Sequence, residues 1–215
     1  MDTRVTVLKG MRRQVASCIV PIVTKEAAYR RPFRVLISCL LSLRTKDLTT
    51  AQACKRLFAV ADTPAKLRGL SVGRIQKLIY PVGFFRVKAR AIREICGRLV
   101  EEYRGRVPAT REELLDLKGV GRKTANLVLG LGFGIPAICV DTHVHRIANR
   151  LGWIRTRTPE ETEYALEKIV PRGWWIALNT IMVTFGQNIC LPLSPHCSAC
   201  SVSRLCARKG VIRSR

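Results

Sequence analysis

Wherever apolar residues recur along this chain, they do so almost everywhere with the period of a helix. Phe33, Leu36, Ile37, Leu40 and Leu41 fall at i, i+3, i+4, i+7 and i+8, one face of a buried helix. Ile92, Ile95, Cys96, Leu99, Val100 and Tyr103 repeat that spacing, and Leu178, Ile181, Met182 and Phe185 repeat it again near the end of the chain. Strict alternation, the mark of a half-buried strand, is nearly absent. The pattern therefore predicts an all-α fold, a compact bundle of about ten helices. With 215 residues the chain can bury its apolar faces as one large domain or two small ones.

Start and stop signals agree with that period. Thr110-Arg-Glu-Glu113 and Thr158-Pro-Glu-Glu161 are capping-box patterns, in which hydroxyl and carboxylate satisfy the free N–H groups of a first turn. The second carries proline at the favoured first helical position. Asp47, ahead of LTTAQACKRLF, is placed to cap a further helix. Breaks fall at Tyr80–Gly83, Gly105–Pro108, Gly134–Pro136 and Pro192–Pro195. No low-complexity tract, long linker or fixed-period repeat interrupts the series. Gly134-Ile-Pro136 is the best internal candidate for a domain boundary.

Charge separates this chain from an ordinary helical bundle. Lys and Arg total 38 against 15 Asp and Glu, a formal net charge of +23. Such a field favours polyanionic partners and fast, salt-sensitive association with them, nucleic acid first and an anionic membrane surface second. No apolar run approaches the roughly 20 residues that a membrane span needs, and MDTRVTVLKGMRRQVASCIV lacks a clear signal-peptide core. The nine cysteines are odd in number. Cys18, Cys39, Cys54, Cys96 and Cys139 sit among apolar neighbours, where cysteine acts as a small buried hydrophobe. The other four crowd into residues 190–206, a clustering that in a reducing compartment points to metal ligands rather than disulfides. The expected setting is intracellular.

Two stretches carry chemistry. In LKGVGRKTANLVLGLGFGIPAICVDTH, residues 117–143, Leu114, Leu115 and Leu117 close one helix. Gly119-Val120-Gly121 makes a turn, and Lys123 to Leu131 opens the next helix. A helix starting directly after such a turn offers unpaired N–H groups and the positive end of its dipole to an anion. A DNA phosphate held through main-chain N–H would be read without regard to base sequence. An ordinary helical connection without a ligand stays open at this level, although the basic field favours phosphate. Lys123 stands where the helix dipole disfavours a cation, which is the bias an amine nucleophile needs. A solvated surface charge is the plain alternative. Asp141, in Val-Asp-Thr-His ahead of Val144, Ile147, Ala148 and Leu151, reads as a helix N-cap. A carboxylate held that rigidly also suits catalysis. His143 and His145 read as structural, with no third metal-type residue beside them.

The other stretch is Cys190-x6-Cys197-x2-Cys200-x5-Cys206. Four thiolates this close can surround one metal centre without help from the rest of the chain. Zinc usually takes paired Cys-x2–4-Cys arms, whereas here only one pair is tight. The looser wrap favours a [4Fe–4S] cube, with zinc as the alternative.

Together these residues resemble the endonuclease III family of base-excision-repair DNA glycosylases, in the helix–hairpin–helix superfamily. The resemblance runs from about Phe33 to Cys206 and rests on LLSLRTKD (40–47), YPVGFFRVKA (80–89), LKGVGRKTAN (117–126), VDTHVHRIANRLGW (140–153) and the cysteine tail. It implies a six-helix domain over 25–135 that carries the hairpin (about 112–131). It also implies a discontinuous domain of 1–24 with 136–215 that carries the cluster loop 190–206, with duplex DNA across the cleft between the two. It further implies a monomer, DNA-associated (cytoplasm or nucleoid if prokaryotic), that flips an oxidised or ring-saturated pyrimidine out of the duplex. Lys123 would be the Schiff-base nucleophile and Asp141 the group that stabilises the sugar cation and moves protons. Gly119, Val120, Gly121 and Arg122 would hold the DNA backbone, and Cys190, Cys197, Cys200 and Cys206 the [4Fe–4S] cluster.

Two departures from the family pattern stand out. Where a glutamine often fills the gap left by the flipped base, this chain has Arg44, whose guanidinium prefers guanine acceptors. Phe84 would be the second wedge, with a buried core phenylalanine as its alternative. The loop between the first two cysteines, LPLSPH, has no Lys or Arg, although Arg204, Arg208 and Lys209 follow closely. The competing readings are a monofunctional mismatch glycosylase of the same superfamily and a non-catalytic DNA-binding module with a structural metal centre. An electron carrier has only the cysteines to recommend it.

Overall fold

A computed structural model of the chain describes residues 2–27 and 31–215. Among these there is no strand, and the α-helices in chain order are α1 (Thr3–Gln14), α2 (Ile22–Ala27), α3 (Pro32–Ser42), α4 (Asp47–Val60), α5 (Pro64–Arg68), α6 (Val72–Ile79), α7 (Phe85–Glu101), α8 (Arg111–Leu115), α9 (Arg122–Leu127), α10 (Thr142–Arg150), α11 (Pro159–Ile169) and α12 (Trp175–Asn188). The fold is all-α, with two more helices than periodicity predicts. The five-residue α5 and α8 are too short to show a period. No helix among the described residues is long and apolar enough to cross a membrane. The chain divides into two compact units, Ile22–Ile135 and Met1–Pro21 with Pro136–Arg215.

In the first unit α3 is the axis. Val35, Leu36, Ile37 and Leu41 are fully buried and Phe33, Cys39 and Leu40 nearly so, because α2, α4, α7 and α9 all pack on it. The helix starts cleanly, with Pro32 at a position whose missing N–H costs nothing. Asp47 does not cap its own helix. It lies in the first turn of α4 behind Lys46, and its carboxylate accepts the Ile22 N–H at 3.1 and 3.2 Å, satisfying a free donor at the start of α2 instead. The expected helix from Lys123 to Leu131 is also modified. α9 ends at Leu127 and a π-helical turn, Val128–Phe133, continues it. Gly132 in that turn lies against Pro32, where an added Cβ would approach the proline Cα to 3.0 Å. The wider turn brings backbone against backbone at the root of α3.

The second unit is built on α10 and α12. Val144, Ile147, Leu178, Met182 and Phe185 form its centre together with Val7, Leu8 and Met11 of α1. Gly186 lets α12 approach α10 so closely that an added Cβ would collide with the His143 ring. The first helix is tied to the cysteine loop. Gln14 donates to the Ala199 carbonyl at 2.6 Å and accepts the Ser201 N–H at 2.9 Å, and Gly10 seats the Val202 side chain. Both capping boxes form at their threonines: Glu113 N–H reaches Thr110 Oγ1 at 3.4 Å and Glu161 N–H reaches Thr158 Oγ1 at 3.1 Å.

Candidate active site

The hairpin is α8, the turn through Gly121, and α9. Leu114 and Leu117 are buried beneath it. Arg98 of α7 donates to the Asp116 carbonyl at 2.6 Å, and Lys118 pairs with Glu94 at 2.9 Å, so the first arm is anchored to α7. Gly119 has φ +80°, a left-handed angle that disfavours a side chain, and a Cβ added there or at Gly121 would meet nothing within 4 Å. The outer face of the turn is open. Val120 differs from the rest of the expected phosphate-binding set. Its side chain is buried and its N–H donates to Leu117 O at 3.0 Å, so it supplies packing rather than a free donor. Arg122 begins α9 and is half-buried.

Lys123, one residue further on, is exposed, while Thr124, Ala125 and Asn126 behind it are buried. Beneath it lies Cys39 of α3, whose thiol burial pushes up to about 12, with the nearby Lys123 charge opposing. That thiol stays protonated and unreactive at neutral pH.

Arg44 and Phe84 meet. The Arg44 guanidinium stands over the Phe84 ring at 5.6 Å from its centroid, and Phe84 is 60% exposed, which removes the buried-core alternative. Both have positive φ, 51° and 58°, a conformation that costs a non-glycine residue on the order of 1–2 kcal/mol. Beside them Lys88 of α7 carries a half-buried ammonium that donates to the carbonyls of Leu41 at 2.8 Å and Leu43 at 2.6 Å and to Thr45 Oγ1 at 3.2 Å. Burial pulls this amine down to about 8. In the sequence Lys88 lies within YPVGFFRVKA, where its residue type alone does not mark it. The signal was its phase, since Lys88, Ile92, Ile95 and Leu99 share the inward face of α7.

In the second unit Asp141 caps α10, its Oδ1 accepting the N–H groups of His143 and Val144 at 2.9 Å each. Both capping bonds fall on one oxygen. Arg146 is close enough to feel its charge, and donates through Nη2 to Gly186 O at 3.2 Å and Cys190 O at 2.9 Å. His145 pairs with Thr162 Oγ1 at 2.7 Å and His143 with Arg146 Nη2 at 3.1 Å, structural roles for both.

Cys190, Cys197, Cys200 and Cys206 line a single cavity walled by Met11, Ile147 and Phe185. Burial, and then the neighbouring thiols of the set, raise Cys200 and Cys206. Two donors point at the outer sulfurs, Arg150 Nη1 at 3.4 Å from Cys190 Sγ and the Arg208 N–H at 3.4 Å from Cys206 Sγ, and Arg150 Nη1 also holds Leu191 O at 2.6 Å. Among the described residues no three of His, Cys, Asp and Glu gather as one ion requires. Four thiols around one cavity are a donor set that suits either a tetrahedral zinc or an iron–sulfur cluster. Arg150, 8% exposed, was not foreseen; it is a buried cation facing thiols that become anionic when they bind metal.

Comparison with known proteins places this architecture. Residues 37–172 match the family described as "HhH-GPD superfamily base excision DNA repair protein". Endonuclease III of Thermotoga maritima is 52% identical over 189 residues, covering 86% of this chain and 89% of that one. Endonuclease III-like protein 1 of Mus musculus is 46% identical over 179 residues, 82% of this chain but 60% of the mouse protein, which is correspondingly longer. Among solved structures, one titled "Structure of a Trapped Endonuclease III-DNA Covalent Intermediate: Estranged-Adenine Complex" superposes with a TM-score of 0.84 at 36% identity, over 96% of this chain and 95% of that one. The chain belongs to the endonuclease III family, within the HhH-GPD superfamily of base excision DNA repair proteins.

Proposed function

We propose that the chain is a bifunctional DNA glycosylase and abasic-site lyase that excises oxidised or ring-saturated pyrimidines from duplex DNA. The observation that carries this reading is Lys123, exposed at the second position of the hairpin helix. It lies in a chain whose solved relative is titled as a trapped covalent DNA intermediate. The damaged base is turned out of the stack. The neutral Lys123 amine attacks C1′ and the C1′–N bond to the base breaks; ring opening then gives the Schiff base. The Asp141 carboxylate offsets the positive charge that develops on the sugar and relays protons. Loss of a C2′ proton expels the 3′ phosphate by β-elimination, which nicks the strand on that side.

On this reading the six-helix domain of 25–135 carries the lysine, Arg44 and Phe84, and the discontinuous domain of 1–24 with 136–215 carries Asp141 and the cysteines. Gly119, Gly121 and Arg122 hold phosphate at the hairpin. Cys190, Cys197, Cys200 and Cys206 would hold a [4Fe–4S] cluster, which when bound cross-links the loop covalently and adds no step to the base-excision chemistry. The protein acts as a monomer on DNA inside the cell.

The test is reductive trapping. Duplexes containing thymine glycol or an abasic site are incubated with borohydride and wild type or Lys123→Ala. A covalent adduct formed by wild type and lost in the variant is the expected result. Base release without an adduct would support a monofunctional glycosylase, and binding with neither would leave a non-catalytic module.

A further inference from the structure

Arg44 and Phe84 come from segments forty residues apart, yet form one stacked pair in which both backbones occupy the left-handed region. Strained positions persist only where the surroundings over-determine them. Here the constraint converges on one amine. Lys88 Nζ holds the last carbonyls of α3, Leu41 O and Leu43 O, and Thr45 Oγ1, on either side of Arg44. Thr45 Oγ1 also accepts the Gly83 N–H at 3.2 Å, next to Phe84. Gly83 is seated so tightly that an added Cβ would stand 2.6 Å from Arg44 O. Lys88 lies on α7, which begins immediately after Phe84. Among the described residues, no carboxylate is one of its hydrogen-bond partners. The ammonium is spent on the two loops rather than on an ion pair.

We propose that Lys88 is a positioning residue for base eversion: by tying the end of α3 to the Gly83–Phe84 turn, its ammonium holds the Arg44 guanidinium over the Phe84 ring as one preformed wedge that fills the gap left by the everted base and reads the base opposite. This rests on the function proposed above, in which Arg44 and Phe84 enter the duplex. Preforming the pair removes the ordering cost that two free side chains would meet on insertion. It also fixes where the guanidinium donors point, and those donors suit guanine acceptors over adenine. Lys88 is not itself a nucleophile, because its nitrogen is half-buried and committed to three oxygens.

An abasic nucleotide has no base to evert, and so distinguishes wedge function from lyase chemistry. Lys88→Met, Lys88→Arg and Thr45→Val are compared with wild type on thymine glycol placed opposite guanine or adenine, and on an abasic-site duplex, with thermal melting alongside. Expected for Lys88→Met is a fall in single-turnover base excision of tenfold or more. The guanine-over-adenine ratio should collapse toward one, while borohydride trapping on the abasic duplex stays within about threefold of wild type. Lys88→Arg should recover most of the loss, and Thr45→Val should reproduce part of it without a shift in melting. Equal losses on lesion and abasic duplexes would overturn the proposal by making Lys88 merely structural, as would unchanged excision and base ratio in Lys88→Met. If wild type itself forms no adduct on either duplex, the function proposed above fails first, and the two failures are distinct.

Discussion

On the function proposed above, Asp141 does two jobs with one side chain, and the two can be separated by substitution. As a cap it needs an oxygen that accepts from His143 and Val144, and asparagine supplies one about as well as aspartate does. As the partner of a developing sugar cation it needs a negative charge. Asp141→Asn should therefore melt close to wild type, while its single-turnover rate falls by about 10²–10⁴, the usual contribution of a positioned acid–base group. Asp141→Ala should add a loss of about 1 kcal/mol in stability to the same rate defect. Thermal melting beside rapid-quench kinetics checks both. A rate loss that tracks stability through the two variants would reduce Asp141 to a cap. At Lys123 the proposed chemistry also has no rival, because burial keeps the nearby Cys39 thiol protonated.

At the scale of elements, the contacts that matter most are those where a glycine lets backbones close. Gly186 on α12 is one, since a Cβ there would strike the His143 ring and stand 3.0 Å from Arg146 Nη2. Both partners sit on α10, the helix that Asp141 caps, and Arg146 also holds Cys190 O. Gly186→Ala should cost about 1–3 kcal/mol through overpacking. It should lower both turnover and retention of the cysteine-bound group, read by melting and by visible absorbance of the loaded protein. A variant that melts like wild type would mean that α12 can retreat freely from α10. Little of this was legible in the sequence. Helical period identified α3, α7 and α12 because each repeats over two turns or more, and the threonine caps were plain because they depend on residues three apart. Asp47 misled, because the N–H it satisfies belongs to a different helix. The π-helical turn at Val128–Phe133 left no periodic trace, since its cause is a distant proline that Gly132 accommodates. Lys88 and Arg150 were hidden by composition. In a chain with 38 cations, two that point inward show only through helix phase.

The whole molecule presents two kinds of contact to a polyanion, and salt can tell them apart. On the proposed function, main-chain N–H groups at the hairpin would hold phosphate without releasing counterions, whereas each cation that neutralises a phosphate steepens the dependence of affinity on salt. Residues 168–215 contain no Asp or Glu. Beyond the last cysteine the tail folds back on the cysteine loop: Ser198 N–H donates to Arg215 O and Arg215 N–H to Pro195 O, both at 2.9 Å. Arg213 and Arg215 are thereby carried alongside LPLSPH, which has no cation of its own, and Arg204 sits exposed in the same loop region. For an abasic duplex, raising salt from 50 to 200 mM should weaken binding by about 10³–10⁵ if six to ten phosphates are contacted. Replacing Arg204, Arg213 and Arg215 together by Gln should lower the slope of log affinity against log salt by about 0.9 for each phosphate lost. At low salt the trapped-adduct yield at saturating enzyme should stay at the wild-type level, because these side chains bind and do not react. Fluorescence anisotropy across a salt series measures the slope. A slope identical to wild type would mean that the tail meets no phosphate, and would assign the neutralising contacts to cations elsewhere in the chain.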